Sequence, residues 1–259
     1  MGVDRAAYPA SQTGGRSCTT NFRAVVDGIL YLLRSGCQWR LLPTQFPPWQ
    51  MVYRWYAFWR RKGVWRKVHA VLYAKVRRHE KRCSTPSAVV IDSQSVKTGK
   101  VVPKKTRGFD GGKRIKGRKR HLVTDTLGLM VEAAITPANV HDTKGGQKVV
   151  ERIAKRPDLK DSIEVVHGDK AYAGSPFKQF VRRKLQAIVK TSENLTRVVK
   201  KFVPAKQRWV IERSFAWLGD YYRLKVDNER DPRNSLTMLR IASINVMLRR
   251  LHPLPVAGW

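Results

Sequence analysis

Residues 88–98 read AVVIDSQSVKT, and the first five of them decide the fold. Ala88-Val89-Val90-Ile91 is a short uninterrupted apolar run rich in β-branched side chains, the pattern of a strand buried on both faces. Asp92 follows it directly. A second apolar run, Ile163-Glu164-Val165-Val166, leads in the same way through Gly168 to Asp169. A carboxylate at the end of a buried strand is costly unless it faces a cation or a site at the edge of the sheet. Between these runs, His121–Thr124 and Gly128–Ile135 predict a hairpin turning at 125–128, and residues 143–156 predict a helix. Beyond Asp169 come a basic helix over 175–186, a short strand over 187–190 and mostly helix from about Gln207 to Arg250. Strands followed by alternating strands and helices predict a mixed α/β sheet covered by helices.

Upstream, the period changes from strand to helix. Residues 1–18 lack any period and are expected to be a disordered lead. Thr20 or Asn21 can cap a helix carrying Phe22, Val25, Val26, Ile29, Leu30 and Leu33, closing near Gly36. A second helix carries Trp49, Val52, Tyr53, Tyr56 and Trp59 until Gly63 stops it, and a third runs from Val64 to Arg78. The expected organisation is a lead at 1–18, an all-helical domain with a cationic surface at 19–82, a linker around Pro86 and an α/β domain at 88–250.

The 259 residues carry 52 Lys and Arg against 19 Asp and Glu, a formal net charge of +33. Self-repulsion on that scale calls for a polyanionic partner, nucleic acid before an anionic membrane surface. No apolar run reaches the length of a membrane span. Cys18, Cys37 and Cys83 are scattered and form no C-x-x-C pair, so neither a disulfide framework nor a structural zinc site is expected, and a reducing cytoplasm fits.

Glu212 is a third acid of interest. On a helical wheel it shares a face with Arg208, Gly219 and Arg223, beside an apolar stripe of Ile211, Phe215, Leu218 and Tyr222. Three acids with hard oxygen ligands and no His/Cys cluster favour Mg²⁺ or Mn²⁺ over zinc. Two such ions would clamp the attacking and leaving oxygens of a phosphodiester. The plain alternatives are that each Asp is a turn former and that Glu212 is a surface ion-pair partner.

Five stretches together resemble the DDE-type transposases of short bacterial insertion sequences: AVVIDSQSVKT, GFDGGKRIKGRKRHLVTDTLGL at 108–129, TPANVHD at 136–142, VVHGDKAYAG around Asp169 and RWVIERSFAWLGDYYRL around Glu212. The segment ILYLLRSGCQWRLLPTQFPPWQMVYRWYAFWRRKGVW is similar to the N-terminal helical domain of that branch. The resemblance covers about residues 20 to 250. It implies a ribonuclease H-like core, Asp92, Asp169 and Glu212 as the catalytic and metal-binding triad holding a pair of Mg²⁺ or Mn²⁺ ions, and Arg208 and Arg223 accompanying Glu212. It also implies double-stranded DNA as substrate, both element terminal repeats and target, a homodimer on DNA, and a cytoplasmic, nucleoid-associated protein with no membrane partner. Two departures stand out: Gly219 replaces a basic residue common in relatives, and the lead MGVDRAAYPASQTGGRS does not match.

The basic run at 97–120 is expected to lie on DNA, through Lys97, Lys113, Arg114, Lys116, Arg118, Lys119 and Arg120, while Arg54, Arg60 and Arg61 of the second helix are candidate phosphate contacts. GFDGGKR is one residue short of a phosphate-binding loop and has Arg114 where Ser or Thr is required. His141-Asp142 reads as a turn, and His121 and His167 as packing residues. The enzyme has one rival from the sequence, a decayed or regulatory copy that occupies element ends without cutting.

Overall fold

The computed structural model describes residues 20–191 and 206–253, with the side chains of 206–208 excepted. The expected lead at 1–18 lies outside the described residues. Three helices come first: α1 (Phe22–Ser35), α2 (Trp49–Arg61) and α3 (Val64–His79). Asn21 caps α1 by accepting from the backbone N–H of Ala24, and Gly36 closes it in a left-handed conformation (φ 74°) that a side chain would strain.

Six strands follow among the described residues: β1 (Ala88–Lys97), β2 (Gly108–Asp110), β3 (Ile115–Asp125), β4 (Met130–Pro137), β5 (Val165–Gly168) and β6 (Ile188–Thr191). β3 pairs antiparallel with β1 on one edge and with β2 and β4 on the other. On its far edge β1 pairs parallel with β5, which pairs parallel with β6. This is the mixed, ribonuclease H-like order that the resemblance implies. The hairpin turns at 125–128 as expected, where Asp125 accepts from the N–H groups of Leu127 and Leu129.

Among the described residues six further helices follow: α4 (Asp142–Ala154), the short α5 (Pro157–Lys160), α6 (Ser175–Leu185), α7 (Lys206–Gly219), the short α8 (Tyr222–Lys225) and α9 (Pro232–Leu251). α4 lies close on the sheet because Gly145 and Gly146 face it; a Cβ there would run into the His121 ring and into Tyr172 and Ile91 respectively. Among the described residues no helix is long and apolar enough to cross a membrane.

Three sequence expectations are corrected. β1 continues five residues past Asp92, so this acid lies within a strand rather than after one. The basic run ends in strand rather than loop, since β3 starts at Ile115 and takes in its last six residues. The helix carrying Glu212 stops at Gly219, so Arg223 belongs to α8 and the wheel that aligned them does not apply; Tyr222, placed on the apolar stripe, is 61% exposed.

The helices 22–79 and the sheet share one core. Val25, Ile29, Tyr56 and Val76 belong to the same buried cluster as Ile91, Leu122 and Met247. Polar contacts cross the same boundary: Tyr56 donates to the Asn234 carbonyl (3.4 Å), His69 bonds Ser243 (3.2 Å), and Arg223 donates to the Cys37 carbonyl (3.0 Å). Burial lowers the His69 pKa to about 3, so this contact is made by a neutral ring. Residues on both sides of position 82 thus share one buried core.

The strongest of these ties is Asp125, fully buried at the hairpin turn and held by Arg77 and by the Tyr73 hydroxyl (3.0 Å). Arg77→Met leaves that carboxylate without its cation and is expected to cost about 3–5 kcal/mol in urea unfolding. Arg23→Met removes only an exposed i,i+4 pair with Asp27 and should change little. Equal, small effects would show that α3 is not anchored through Asp125.

Candidate active site

The site follows from a mismatch of pairing lengths. β1 pairs with β5 only from Ala88 to Val90, whereas its pairing with β3 continues to Lys97. Asp92 is thus the second residue beyond the last β1–β5 pair, at the carboxyl ends of the parallel strands, where open α/β sheets form ligand crevices. Asp169 follows Gly168, the last residue of β5, and its Oδ1 accepts from the Ala171 N–H (3.0 Å).

Asp92 and Asp169 line one open cleft of about 420 Å³, together with Ser93, Lys113, His167, Lys190, Thr191 and Ile211. Pleating sends Ile91 and Ser93 toward α4 and Asp92 toward the opposite face, where α7 packs on β1. Ile211 reaches the cleft from α7, and Glu212 is the next residue, with an exposed side chain. The structure therefore brings Asp92 and Asp169 together and puts Glu212 on the adjoining helix. Among the described residues no group of three or more His, Cys, Asp or Glu is gathered tightly enough to hold a metal ion.

Burial pushes the Asp92 carboxyl up to about 6; the Ser93 N–H (2.7 Å) and Lys113 oppose the shift, and repulsion from Asp169 and Asp142 adds to it. Two carboxylates crowded in a cleft, one resisting ionisation, are a donor set of hard oxygens suited to a divalent cation. The Tyr172 hydroxyl fits the same picture. It is buried without a hydrogen-bond partner among the described residues, and its ionisation is opposed by burial and then by the fields of Asp142, Asp92 and Asp169.

Behind β1 lies a polar network that sequence reasoning missed. Asp142, dismissed as part of a turn, accepts from the Ser93 hydroxyl (2.8 Å) and from Lys119 (2.9 Å). Burial raises its pKa, but those hydrogen bonds and the charge of Lys119 together offset the effect and hold it below the ordinary value. Lys119 also lies 3.6 Å from Asp110, whose carboxylate accepts from Ser95 and from the Lys113 N–H (3.1 Å). The Lys113 ammonium then donates to the Ser93 carbonyl at the cleft (3.3 Å). The signal was present in TPANVHD, but Ser93 and Lys119 lie too far from it in the chain to be seen as partners.

The basic candidates divide sharply. Lys97, Lys113, Arg114, Lys116, Arg54 and Arg61 are exposed. Arg118 is fully buried, pairing with Asp227 (3.1 Å) and donating to the Glu229 carbonyl (2.7 Å). Arg120 is buried and donates to the Leu224 carbonyl (2.7 Å); burial lowers its pKa to about 10. Lys119 is 7% exposed and committed to Asp142 and Asp110. These three are corrected from DNA contacts to internal supports: from Gly117 onward β3 is a central strand buried on both faces, so all three successive side chains are enclosed. Arg223 is corrected likewise, since it pairs with Glu229 (2.7 Å). Arg60 is half-buried near Asp231 (4.0 Å), and the side chain of Arg208 lies outside the described residues. Gly219 closes α7 in open space, where a Cβ would meet nothing within 4 Å.

Residues 84–247 match the family model described as a transposase DDE domain, and residues 5–69 match one described as a putative transposase of the IS4/5 family. The chain is similar to a putative transposase for insertion sequence element IS402 from Burkholderia cepacia, with 29% identity over 121 residues, 44% of this chain and 54% of that protein. It is also similar to an uncharacterized 16.2 kDa protein of the same element, 35% identical over 85 residues (32% of this chain, 56% of that protein). A third similarity is to uncharacterized protein y4sN of Sinorhizobium fredii, 37% identical over 68 residues (26% and 54%). The chain spans about half the length of the curated relatives it matches.

The raised Asp92 pKa sets a stability test. Between the ordinary carboxylate value of 3.8 and about 6, the folded protein keeps a proton that the unfolded chain has released. Stability therefore falls as pH rises through that window, and the penalty is fully present above it. In chelator, Asp92→Asn should be more stable than the parent at pH 7.5, on the order of 2 kcal/mol, with the gain gone by about pH 4. A gain independent of pH, measured by urea unfolding, would contradict this.

Proposed function

The chain belongs to the DDE-domain transposases, and from that premise we propose that it cuts DNA at the ends of an insertion sequence and transfers the freed strands to target DNA. The carrying observation is the pairing of Asp92 with Asp169 in an open cleft at the ends of parallel strands, beside the helix that bears Glu212. The name given to the IS402 relative points the same way.

In this reading Asp92 and Asp169 hold a divalent cation, Mg²⁺ or Mn²⁺ and two ions in all, with Glu212 as the third ligand. Bound there, such ions neutralise phosphodiester oxygens and make water or a 3′-hydroxyl a competent nucleophile at neutral pH. The protein's own residues do the rest. The Asp92 carboxyl, with a pKa of about 6, surrenders any proton it holds as the site is loaded. Lys113, fixed by Asp110 and by the Ser93 carbonyl, presents an ammonium to the phosphate that enters the cleft. Lys119 and Asp142 keep β1 and the Lys113 turn in register from behind. Exposed Lys97, Arg114, Lys116, Arg54 and Arg61 are the DNA-contacting candidates that remain. Both element ends must be handled, so the acting form is proposed to be a homodimer on DNA, among the nucleoid in the cytoplasm.

Glu212→Gln and Asp169→Asn preserve size and remove the charge. Each is expected to lower Mg²⁺-dependent nicking of a terminal-repeat duplex by orders of magnitude while gel-shift affinity stays similar or rises. Near-parental nicking by Glu212→Gln would reduce Glu212 to an ion-pair partner. Binding by the parent with no nicking would favour the regulatory alternative.

A further inference from the structure

Two lysines stand on opposite sides of the acid pair. Lys113 arrives from the β2–β3 turn, on the β3 side of β1, and its ammonium is 3.3 Å from the Ser93 carbonyl. Lys190 lies on β6 one residue before its end, in register with His167 of β5. Both line the cleft with Asp92 and Asp169. With the Lys113 ammonium held at the Ser93 carbonyl of β1 and Lys190 on β6, the order across this edge of the sheet reads lysine, aspartate, aspartate, lysine.

We propose that Lys113 and Lys190 are a pair of phosphate-binding residues that bracket the scissile phosphodiester, so that one DNA strand crosses the cleft from the β2–β3 turn to the β6 edge. The proposal rests on the cleft being the DNA-processing site argued above, and it adds the path of the strand and an unassigned residue, Lys190. From β1 to β6 is two strand spacings, roughly 10 Å, or about three nucleotide rises of 3.4 Å. The phosphates held should therefore lie on opposite sides of the cleavage position, roughly three nucleotides apart. A lysine on an edge strand also has an ordinary use, blocking strand addition. That role would make Lys190 matter for association between chains and not for any particular phosphate.

The test uses the full chain and a terminal-repeat duplex carrying a single methylphosphonate, moved one position at a time, with Ca²⁺ in place of Mg²⁺ so that affinity is read without cleavage. Lys190 is exposed, so Lys190→Ala should leave thermal unfolding unchanged; Lys113→Ala also loses its bond to the Ser93 carbonyl and its support of ionised Asp92, and should lower the midpoint slightly while the protein still folds. Each is expected to weaken binding of the unmodified duplex severalfold and to flatten its salt dependence by about one counterion. At one methylphosphonate position the Lys190→Ala defect should vanish, and at a position on the other side of the cut the Lys113→Ala defect should vanish, while Lys190→Arg retains parental behaviour. A Lys190→Ala loss that is the same at every position, no loss at all, or coupling of both lysines to one phosphate would overturn the bracket. If the parent cuts the duplex and shows its own interference pattern, such a result sinks this inference alone. A parent that neither cuts nor shows any phosphate interference sinks the transposase reading with it.

Discussion

The site depends on one constraint, that β1 is longer than its parallel partner. Backbone pairing with β3 holds the strand from Val89 to Lys97, while pairing with β5 ends at Val90. The residues just beyond that point are fixed on one edge and open on the other. Asp92 occupies this position, where burial, and after it the field of Asp169, raise its pKa to about 6. Ser93, pointing the opposite way, ties the same piece of strand to Asp142 and through Lys119 to Asp110. The acid that is costly to the fold and the network that supports it are successive residues of one strand.

The basic composition takes on a different meaning once the interior is seen. Several of the scarce acids are spent inside: Asp125 on Arg77, Asp227 on Arg118, Glu132 on Arg240 and Glu229 on Arg223. Each pair joins segments far apart in sequence or closes a turn against the core. Breaking such a pair by removing the cation leaves a buried charge, which is why these arginines are structural even in a protein with a net charge of +33. Arginine content alone does not distinguish the two uses.

Much of this was legible in the sequence, for local reasons. Asn21 and Gly36 mark the ends of α1 because capping and left-handed closure are chemical properties of those residues. AVVI and EVV mark β1 and β5, two of the three parallel strands, because short continuous apolar runs belong in the middle of a covered sheet. The basic run was misread because its alternation is of charged residues with charged or polar ones. Arg118 and Arg120 find Asp227, Glu229 and Leu224 only after the chain has folded back across more than a hundred residues. The helical wheel through Glu212 failed at Arg223 because Gly219 and Asp220 end the helix, and a wheel carries no signal of its own limits. Lys190 passed unnoticed since a lysine in a short strand has no pattern; its position across the acid pair comes from the sheet order.

The most direct measurement is anomalous diffraction from crystals of the full chain soaked in Mn²⁺. The account predicts a peak between the carboxylates of Asp92 and Asp169, with Glu212 turned in from α7 as a further ligand, and loss of that peak in Asp92→Asn. A peak elsewhere on the protein, or a cleft that stays empty of Mn²⁺ while Asp92 and Asp169 are ionised, would contradict it.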